Sequence, residues 1–303
     1  MKCMFYQMKK NNLTKQFINE GFLNIKNDQE FVKKCQNLYK DIKKKVVINS
    51  KIFLTYKSYL KNKKHKKTGD VLTDLDIGFI LNNKNINFYL ETVLGKNYKL
   101  ADKRVICGIP KKYIPKFITR KENIKNINLG HFIKKKYRTV RYFNGIDFHQ
   151  DQMDYSSTKC KVVTLYVYLD YVTKNKSPLI ILPKSHKLGP DLFPHKLVKQ
   201  KTKILYTTRK ERKLLTTEKK LIGKPGESWV WHSCLLHGTR SNISTNGRIS
   251  LRLKYKKSEK SKNTAVDRVN KYFGDKRGYK LTNEYNIKKY NDVLKKPQNS
   301  TKN

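Results

Sequence analysis

Tyr137-Arg138-Thr139-Val140-Arg141-Tyr142-Phe143-Asn144-Gly145-Ile146-Asp147-Phe148-His149-Gln150-Asp151 holds the two signals that decide the reading of this chain. A β-branched and aromatic run stops at the turn pair Asn144-Gly145, and a second extended run follows and ends on a histidine and a carboxylate. Outward from it, short runs of the same character, separated by turn residues, recur at 105–107, 162–169, 179–182, 204–208, 228–232 and 249–255. Seven or eight such strands predict a mainly β fold, a sandwich or jelly roll. Ahead of them the period changes to that of helices. Asn27 followed by Glu30 reads as a capping box, and Phe31, Cys35, Leu38 and Ile42 then share one helical face. A second helix is expected over 85–94, with Ile86, Leu90, Val93 and Leu94 inward and Gly95 ending it.

The chain has 303 residues, with 69 Lys+Arg against 23 Asp+Glu and a formal charge of +46. Its 19 Tyr and 13 Phe can fill a core, so the charge does not imply wholesale disorder. The length suits one large decorated domain. Residues 1–100 read as a helical flank of that domain, 101–256 as its β core with a basic insertion near 196–224, and 257–303 as a basic tail whose last residues are disordered. The segment 61–67 is mostly Lys and reads as a solvated loop. No run approaches the ~20 apolar residues of a membrane span. The N-terminus lacks the apolar region of a signal peptide, so a soluble, cytoplasmic protein is expected. The five cysteines are scattered, with no C-x-x-C pair, and read as buried thiols. A surface this positive should attract polyanions, whether nucleic acid, anionic lipid, or a phosphorylated or CoA-linked substrate, and sign alone does not choose among them.

On an extended strand, residues flanking a shared neighbour point to one face, so His149 and Asp151 can converge on one ion. His237, in Leu235-Leu236-His237-Gly238-Thr239, is the third candidate. Two His and one carboxylate occupy one face of an octahedron and leave positions open for cosubstrate and oxygen, the donor set of non-haem Fe(II) oxygenases. An H-x-D tripeptide alone also arises by chance, and a lone His is more often a packing residue. His65, His131, His186, His195 and His232 read as surface or packing residues rather than ligands.

Four segments together carry more weight than that tripeptide. His149-Gln150-Asp151-Gln152, Tyr168-Leu169-Asp170, the run from Pro178 through Pro183-Lys184-Ser185-His186-Lys187, and Gly226-Glu227-Ser228 with His237-Gly238-Thr239 resemble, in order, the phytanoyl-CoA dioxygenase family. The resemblance is firmest over 138–255. It implies a double-stranded β-helix, a cupin-like jelly roll, with His149, Asp151 and His237 binding Fe(II), and with 2-oxoglutarate and O2 as cosubstrates. It also implies that Arg248, eleven residues after His237, pairs with the distal carboxylate of 2-oxoglutarate, a task that suits a planar guanidinium. Thr239 matches a small hydroxyl residue that reaches the same carboxylate, and Tyr166 an aromatic lining that pocket. Arg252, four residues on and on the same strand face, is a competitor for the carboxylate. Related halogenating enzymes have a small residue in place of the carboxylate ligand. With Asp151 present, the resemblance implies hydroxylation.

The implied function is a 2-oxoglutarate-dependent dioxygenase that hydroxylates an organic substrate and releases succinate and CO2. Members of the family act on acyl-CoA thioesters and on small molecules, so an acyl-type or small-molecule substrate is expected, and the Lys content points to an anionic one. The alternative is a catalytically silent β scaffold serving as a basic nucleic-acid-binding protein, with Lys and Tyr of the 254–290 region contacting phosphates and stacking bases. A third reading is a metal-dependent cupin-like enzyme that does not use 2-oxoglutarate. Oligomeric state is not legible.

Overall fold

The computed structural model describes residues 2–61, 69–119, 129–155 and 160–273. Thirteen strands are present among them: β1 (Phe22–Ile25), β2 (Lys99–Gly108), β3 (Arg141–Phe143), β4 (Ile146–His149), β5 (Val162–Tyr168), β6 (Leu179–Ile181), β7 (Lys196–Gln200), β8 (Lys203–Thr207), β9 (Lys213–Thr217), β10 (Lys219–Leu221), β11 (Ser228–His232), β12 (His237–Thr239) and β13 (Arg248–Lys256). They form a six-stranded sheet in the order β1-β11-β5-β13-β2-β3, a four-stranded sheet β10-β6-β12-β4, and a three-stranded sheet β7-β8-β9. All pairings are antiparallel except β2 with β3. The helices are α1 (Lys2–Glu20), α2 (Gln29–Lys45), α3 (Tyr56–Lys61), α4 (Gly78–Leu81), α5 (Lys84–Leu94), α6 (Lys116–Thr119) and α7 (Ala265–Asn270). Mixed β-sheets with flanking helices are thus the architecture.

Strand β13 organises the packing. Its odd residues Ile249, Leu251, Leu253 and Tyr255 join Val105 and Cys107 of β2, Val163, Leu165 and Val167 of β5, and the buried faces of α2 and α5 in one apolar core. Burying each aliphatic side chain there contributes about 1.5–3 kcal/mol. Its even residues Arg248, Ser250, Arg252 and Lys254 project from the opposite face. That inner face continues in Ile106, Tyr166, Tyr168, Trp229 and Trp231, which pack with Leu179, Ile181 and Leu221 of the four-stranded sheet. Cationic side chains and aromatic rings therefore share the space between the two sheets.

Several local expectations shift. The cap of α2 is Asp28, whose side chain accepts from the Phe31 amide, while the Asn27 amide donates to the Gly226 carbonyl and to Ser228 Oγ at the base of β11. Helix α5 starts at Lys84, capped by Asn83, and ends at Gly95 with φ +75. The run at 105–107 extends to ten residues because β13 pairs along it from Arg248 to Lys256. The run at 137–143 shortens to β3, since Lys135–Tyr137 is a 3-10 turn. The basic insertion carries four strands where its sequence suggested one: β7, β8 and β9 pair among themselves, and β10 joins β6. Only the central strand, β8, buries alternate residues (Ile204 and Tyr206), so the Lys-rich flanks lack a strand signature.

Beyond β13 the chain forms α7, with a capping box between Thr264 and Asp267. Residues 274–303, with the expected disordered end, lie outside the described residues, as do His65 and the Lys-rich 62–67. Cys35, Cys107, Cys160 and Cys234 are buried and form no disulfide, and Cys160 Sγ lies 3.1 Å from Cys234 Sγ. Among the described residues no helix is long and apolar enough to cross a membrane.

Candidate metal centre

Strand β4 ends on His149, and His237 opens β12 directly opposite it in the antiparallel register. The strands can close to this distance because Gly238 separates His237 from Thr239. A Cβ there would sit 2.5 Å from the Ile146 carbonyl oxygen. The two imidazole centroids are 4.3 Å apart. Asp151 has already left the strand and begins the 3-10 turn Asp151–Asp154, so the turn, rather than strand alternation, brings its carboxylate back toward the histidines. One donor atom from each of the three residues lies within 4.8 Å of the others.

Their protonation states follow from the surroundings. A carbonyl oxygen only accepts, so the His149 Nδ1–H donates to Asp147 O at 2.8 Å and the His237 Nδ1–H to Leu235 O at 2.9 Å. In a neutral ring that tautomer carries its lone pair on Nε2, the form that ligates. Burial, and then the neighbouring His149, pushes His237 down to about 3, so it is neutral at physiological pH. For Asp151, burial alone would raise the pKa. The Lys254 ammonium, and behind it His237, Arg252 and His149, outweigh that and hold it well below the usual carboxylate range. His237 Nε2 and Asp151 Oδ2 therefore face each other at 3.6 Å with no proton between them. Two converging lone-pair donors with no hydrogen to share fit a cation, and with His149 they fit a divalent metal.

The carboxylate is held on every side. Asp151 Oδ2 accepts from Thr164 Oγ1 at 2.6 Å and from Trp231 Nε1 at 3.1 Å. Oδ1 pairs with Lys254 Nζ at 2.8 Å, and Lys254, only 1% exposed, also reaches Asp154. None of these partners was singled out from the sequence. The available signal was the spacing of Arg248, Ser250, Arg252 and Lys254 at every second position of one strand, which turns a buried lysine inward.

Arg248 is fully buried, its guanidinium 5.8 Å from the Tyr166 ring centroid and one amino group donating to the Ser177 carbonyl. Arg248 Nε, Tyr166 OH and Thr239 Oγ1 are buried and have no hydrogen-bond partner. Thr239 shares a strand face with His237, and the Trp231 ring lies 5.0 Å from the His237 ring, so this face of β12 looks onto the six-stranded sheet. Buried polar atoms left without partners cost about 1–3 kcal/mol each unless a ligand meets them. Arg252, the competitor, donates to Asp102 at 3.1 Å instead. His186, His232 and His195 keep packing roles. His186 donates to Ile18 O at 3.0 Å, His232 accepts from the Cys234 amide at 3.1 Å, and His195 lies 3.8 Å from Asp191.

The phytanoyl-CoA dioxygenase family model matches residues 121–250, a span that contains His149, Asp151, Tyr166, His237, Thr239 and Arg248. Over that span, which is less than half of the chain, the protein is similar to the phytanoyl-CoA dioxygenase family. With its His–Asp–His cluster it is an enzyme of the Fe(II)- and 2-oxoglutarate-dependent oxygenase class. No curated protein matches it. Among solved structures, the non-heme alpha ketoglutarate dependent epimerase SnoN from nogalamycin biosynthesis is 14% identical over 83% of this chain and 84% of its own, with a TM-score of 0.50. SnoN in complex with Fe3+, alpha ketoglutarate and nogalamycin RO matches with the same TM-score of 0.50. The apo non-heme monooxygenase ThoJ is 11% identical over 81% of this chain and 77% of its own, with a TM-score of 0.51. At such identities these likenesses show a shared fold, and nothing about the substrate.

Proposed function

We propose that the protein hydroxylates an organic substrate with Fe(II) held by His149, Asp151 and His237, and with 2-oxoglutarate anchored by Arg248, Thr239 and Tyr166. The single observation that carries this is the unprotonated meeting of His237 Nε2 and Asp151 Oδ2 beside a buried arginine whose Nε has no partner. On this reading the six- and four-stranded sheets are the two faces of a double-stranded β-helix. The catalytic core spans 101–256, with 1–100 as its helical flank, 196–224 as an insertion and 257–303 as a tail.

When bound, Fe(II) would mediate the electron transfer by which O2 takes two electrons from 2-oxoglutarate, giving succinate and CO2, and two from a substrate C–H bond. The chain's own residues do the rest. Asp147 O and Leu235 O keep the two histidines in the ligating tautomer. Thr164, Trp231 and Lys254 fix the plane and charge of Asp151. Arg248 offers a carboxylate a planar, cationic donor in a buried pocket, and the Thr239 and Tyr166 hydroxyls complete its hydrogen bonds. Trp229, Trp231 and Tyr168 exclude water from this pocket. Asp151 fills the position that halogenation would need open, which favours hydroxylation. SnoN, which shares the fold, was solved with Fe3+ and alpha ketoglutarate, and that occupancy supports the same pair here.

The test is anaerobic titration of Fe(II)-loaded protein with 2-oxoglutarate, reading the visible metal-to-ligand charge-transfer band. The band is expected in wild type, to vanish in His149→Ala, and to need far more cosubstrate in Arg248→Ala. No band in folded, iron-replete wild type would sink the proposal.

A further inference from the structure

Three more guanidiniums lie on the inner face of the six-stranded sheet. Arg252 stands on β13 between Arg248 and Lys254, with Arg104 opposite it on β2. Arg141, on the edge strand β3, is register-opposite Ile106. Alternation puts Arg141 on the same face as Phe143, which packs against the aromatic layer between the sheets. Beside the groups assigned to iron and 2-oxoglutarate, this corner therefore faces the same interior.

Its charges do not balance. Asp102 serves both Arg104, at 3.0 Å, and Arg252, at 3.1 Å, and Asp70 takes another edge of Arg104 at 2.9 Å. Asp154, the next acid, is committed to Lys254. Three guanidiniums thus share two carboxylates. Arg141, half-buried, has no hydrogen bond or ion pair among the described residues, and burial together with Arg104 and Arg252 lowers its pKa. Two further buried atoms on this face, Arg252 Nε and Ser250 Oγ, also lack partners. The 2-oxoglutarate assignment uses Arg248, Thr239 and Tyr166 and accounts for none of these. A partly desolvated cation among like charges is unfavourable until an anion reaches it, and a planar guanidinium matches carboxylate or phosphate oxygens in a bidentate manner.

We propose that Arg141, with Arg252 beside it, forms a second anion position that binds a carboxylate or phosphate group on the substrate that the enzyme oxidises. This rests on the reading of the iron and 2-oxoglutarate site given above. It makes the substrate an acidic small molecule or a phosphorylated one, held by its charged end against β3 and β13.

The test uses the full chain, labelled with 15N-arginine and loaded with diamagnetic Zn(II) and 2-oxoglutarate, and follows the arginine Nε–H resonances. Arg141→Gln, Arg252→Gln and Arg248→Gln assign the signals. Benzoate and phenylphosphate are the anionic probes, and benzamide is the neutral control. The Arg141 and Arg252 signals should move together and saturate with at least one anion. The probe that saturates at lower concentration distinguishes carboxylate from phosphate, and benzamide should move neither signal. Arg141→Gln should weaken anion binding at least tenfold, and Arg141→Lys should restore part of it, since it keeps the charge but loses the fork. In Arg141→Gln, 2-oxoglutarate should still shift the Arg248 signal. If the Arg141 signal ignores both anions while Arg248 answers 2-oxoglutarate, the anion position is wrong and the cosubstrate site stands. Undiminished anion binding in Arg141→Gln overturns it equally. An Arg248 signal that ignores 2-oxoglutarate overturns the cosubstrate reading and this proposal with it.

Discussion

At the Lys254 end of β13, Lys254, Asp151, Thr164 and Trp231 all find partners in one another. At the Arg248 end of the same strand, Arg248 Nε, Ser250 Oγ, Tyr166 OH and Thr239 Oγ1 are equally buried and have none. Both ends belong to one inward face and one alternating pattern, so the difference is not one of burial or strand geometry. Where a side chain must be aimed before any ligand arrives, as with Asp151, the fold itself satisfies the surrounding atoms. At the other end, the proposed cosubstrate would supply the partners that these atoms lack.

The severest way to break this comparison is Asp151→Ala. It removes a candidate metal ligand and the partner of Lys254, leaving the buried ammonium only the half-exposed Asp154. Iron content, measured by elemental analysis, should fall to background, and denaturant unfolding should show a loss of about 3 kcal/mol, the lower end for stripping one partner from a buried ion pair. Iron binding at wild-type stoichiometry would remove Asp151 from the ligand set.

Acid offers a way to sharpen it in metal-free protein. Burial holds His186 down to about 4, from an ordinary value of 6.5, and its Nδ1 has no partner. Its folded pKa lies below its unfolded one, so the unfolded chain binds the extra proton first. Stability is then full above pH 6.5 and falls progressively as pH drops toward 4, by about 3 kcal/mol from this residue. Asp151, held well below the usual range, should keep its charge through that window, and the Lys254 end should remain intact. Denaturant midpoints from pH 7 to 4.5 test this. A flat profile in wild type would contradict the buried neutral His186, and His186→Gln should make the fall shallower without abolishing it, because His237, held down to about 3, loses stability over the same window.

Arg248→Ala acts at the other end. Iron binding should be unchanged while the anaerobic cosubstrate titration shifts about 100-fold, equivalent to about 2.7 kcal/mol. A shift shared equally by the iron titration would mean that Arg248 supports the fold rather than the cosubstrate.

The finest discrimination comes from the same substitution at two threonines. Thr164→Val removes a donor to Asp151 and should destabilise ligand-free protein by about 1–3 kcal/mol. Thr239→Val removes a hydroxyl that has no partner in the ligand-free protein, so stability should stay level or rise by up to about 1 kcal/mol, while cosubstrate affinity falls several-fold. Equal losses at both positions would erase the distinction between the two ends.

Legibility followed the same division. His149, Asp151 and His237 stand out because few residue types can ligate a metal, and Thr239 and Arg248 because the family resemblance places them two and eleven residues after His237. Lys254 and Arg141 could not stand out in that way. They are two among 69 Lys and Arg, and whether a cation is buried against Asp151, left unpaired at an edge strand, or solvated depends on neighbours far away in the chain. The core strands were readable where both faces are apolar or aromatic, as in β5 and β11. Strands β7 and β9 were not, because only their central partner β8 buries alternate residues. The capping of α2 moved by one residue because Asn27 is held by Gly226 and Ser228, a contact spanning most of the chain.

The amino-acid sequence by itself determined the strand-rich class and the type of candidate metal donor set, since these depend on local pattern and on side-chain chemistry, and its resemblance to a known family singled out Arg248 as the candidate for a carboxylate. Only the tertiary structure decided that Asp151 reaches the site through a turn, that a buried lysine neutralises it, and that three guanidiniums share two carboxylates at the edge of the inner face. Those outcomes depend on which strands become neighbours. Pairing β13 with both β2 and β5 sets that arrangement through contacts between residues more than 80 positions apart.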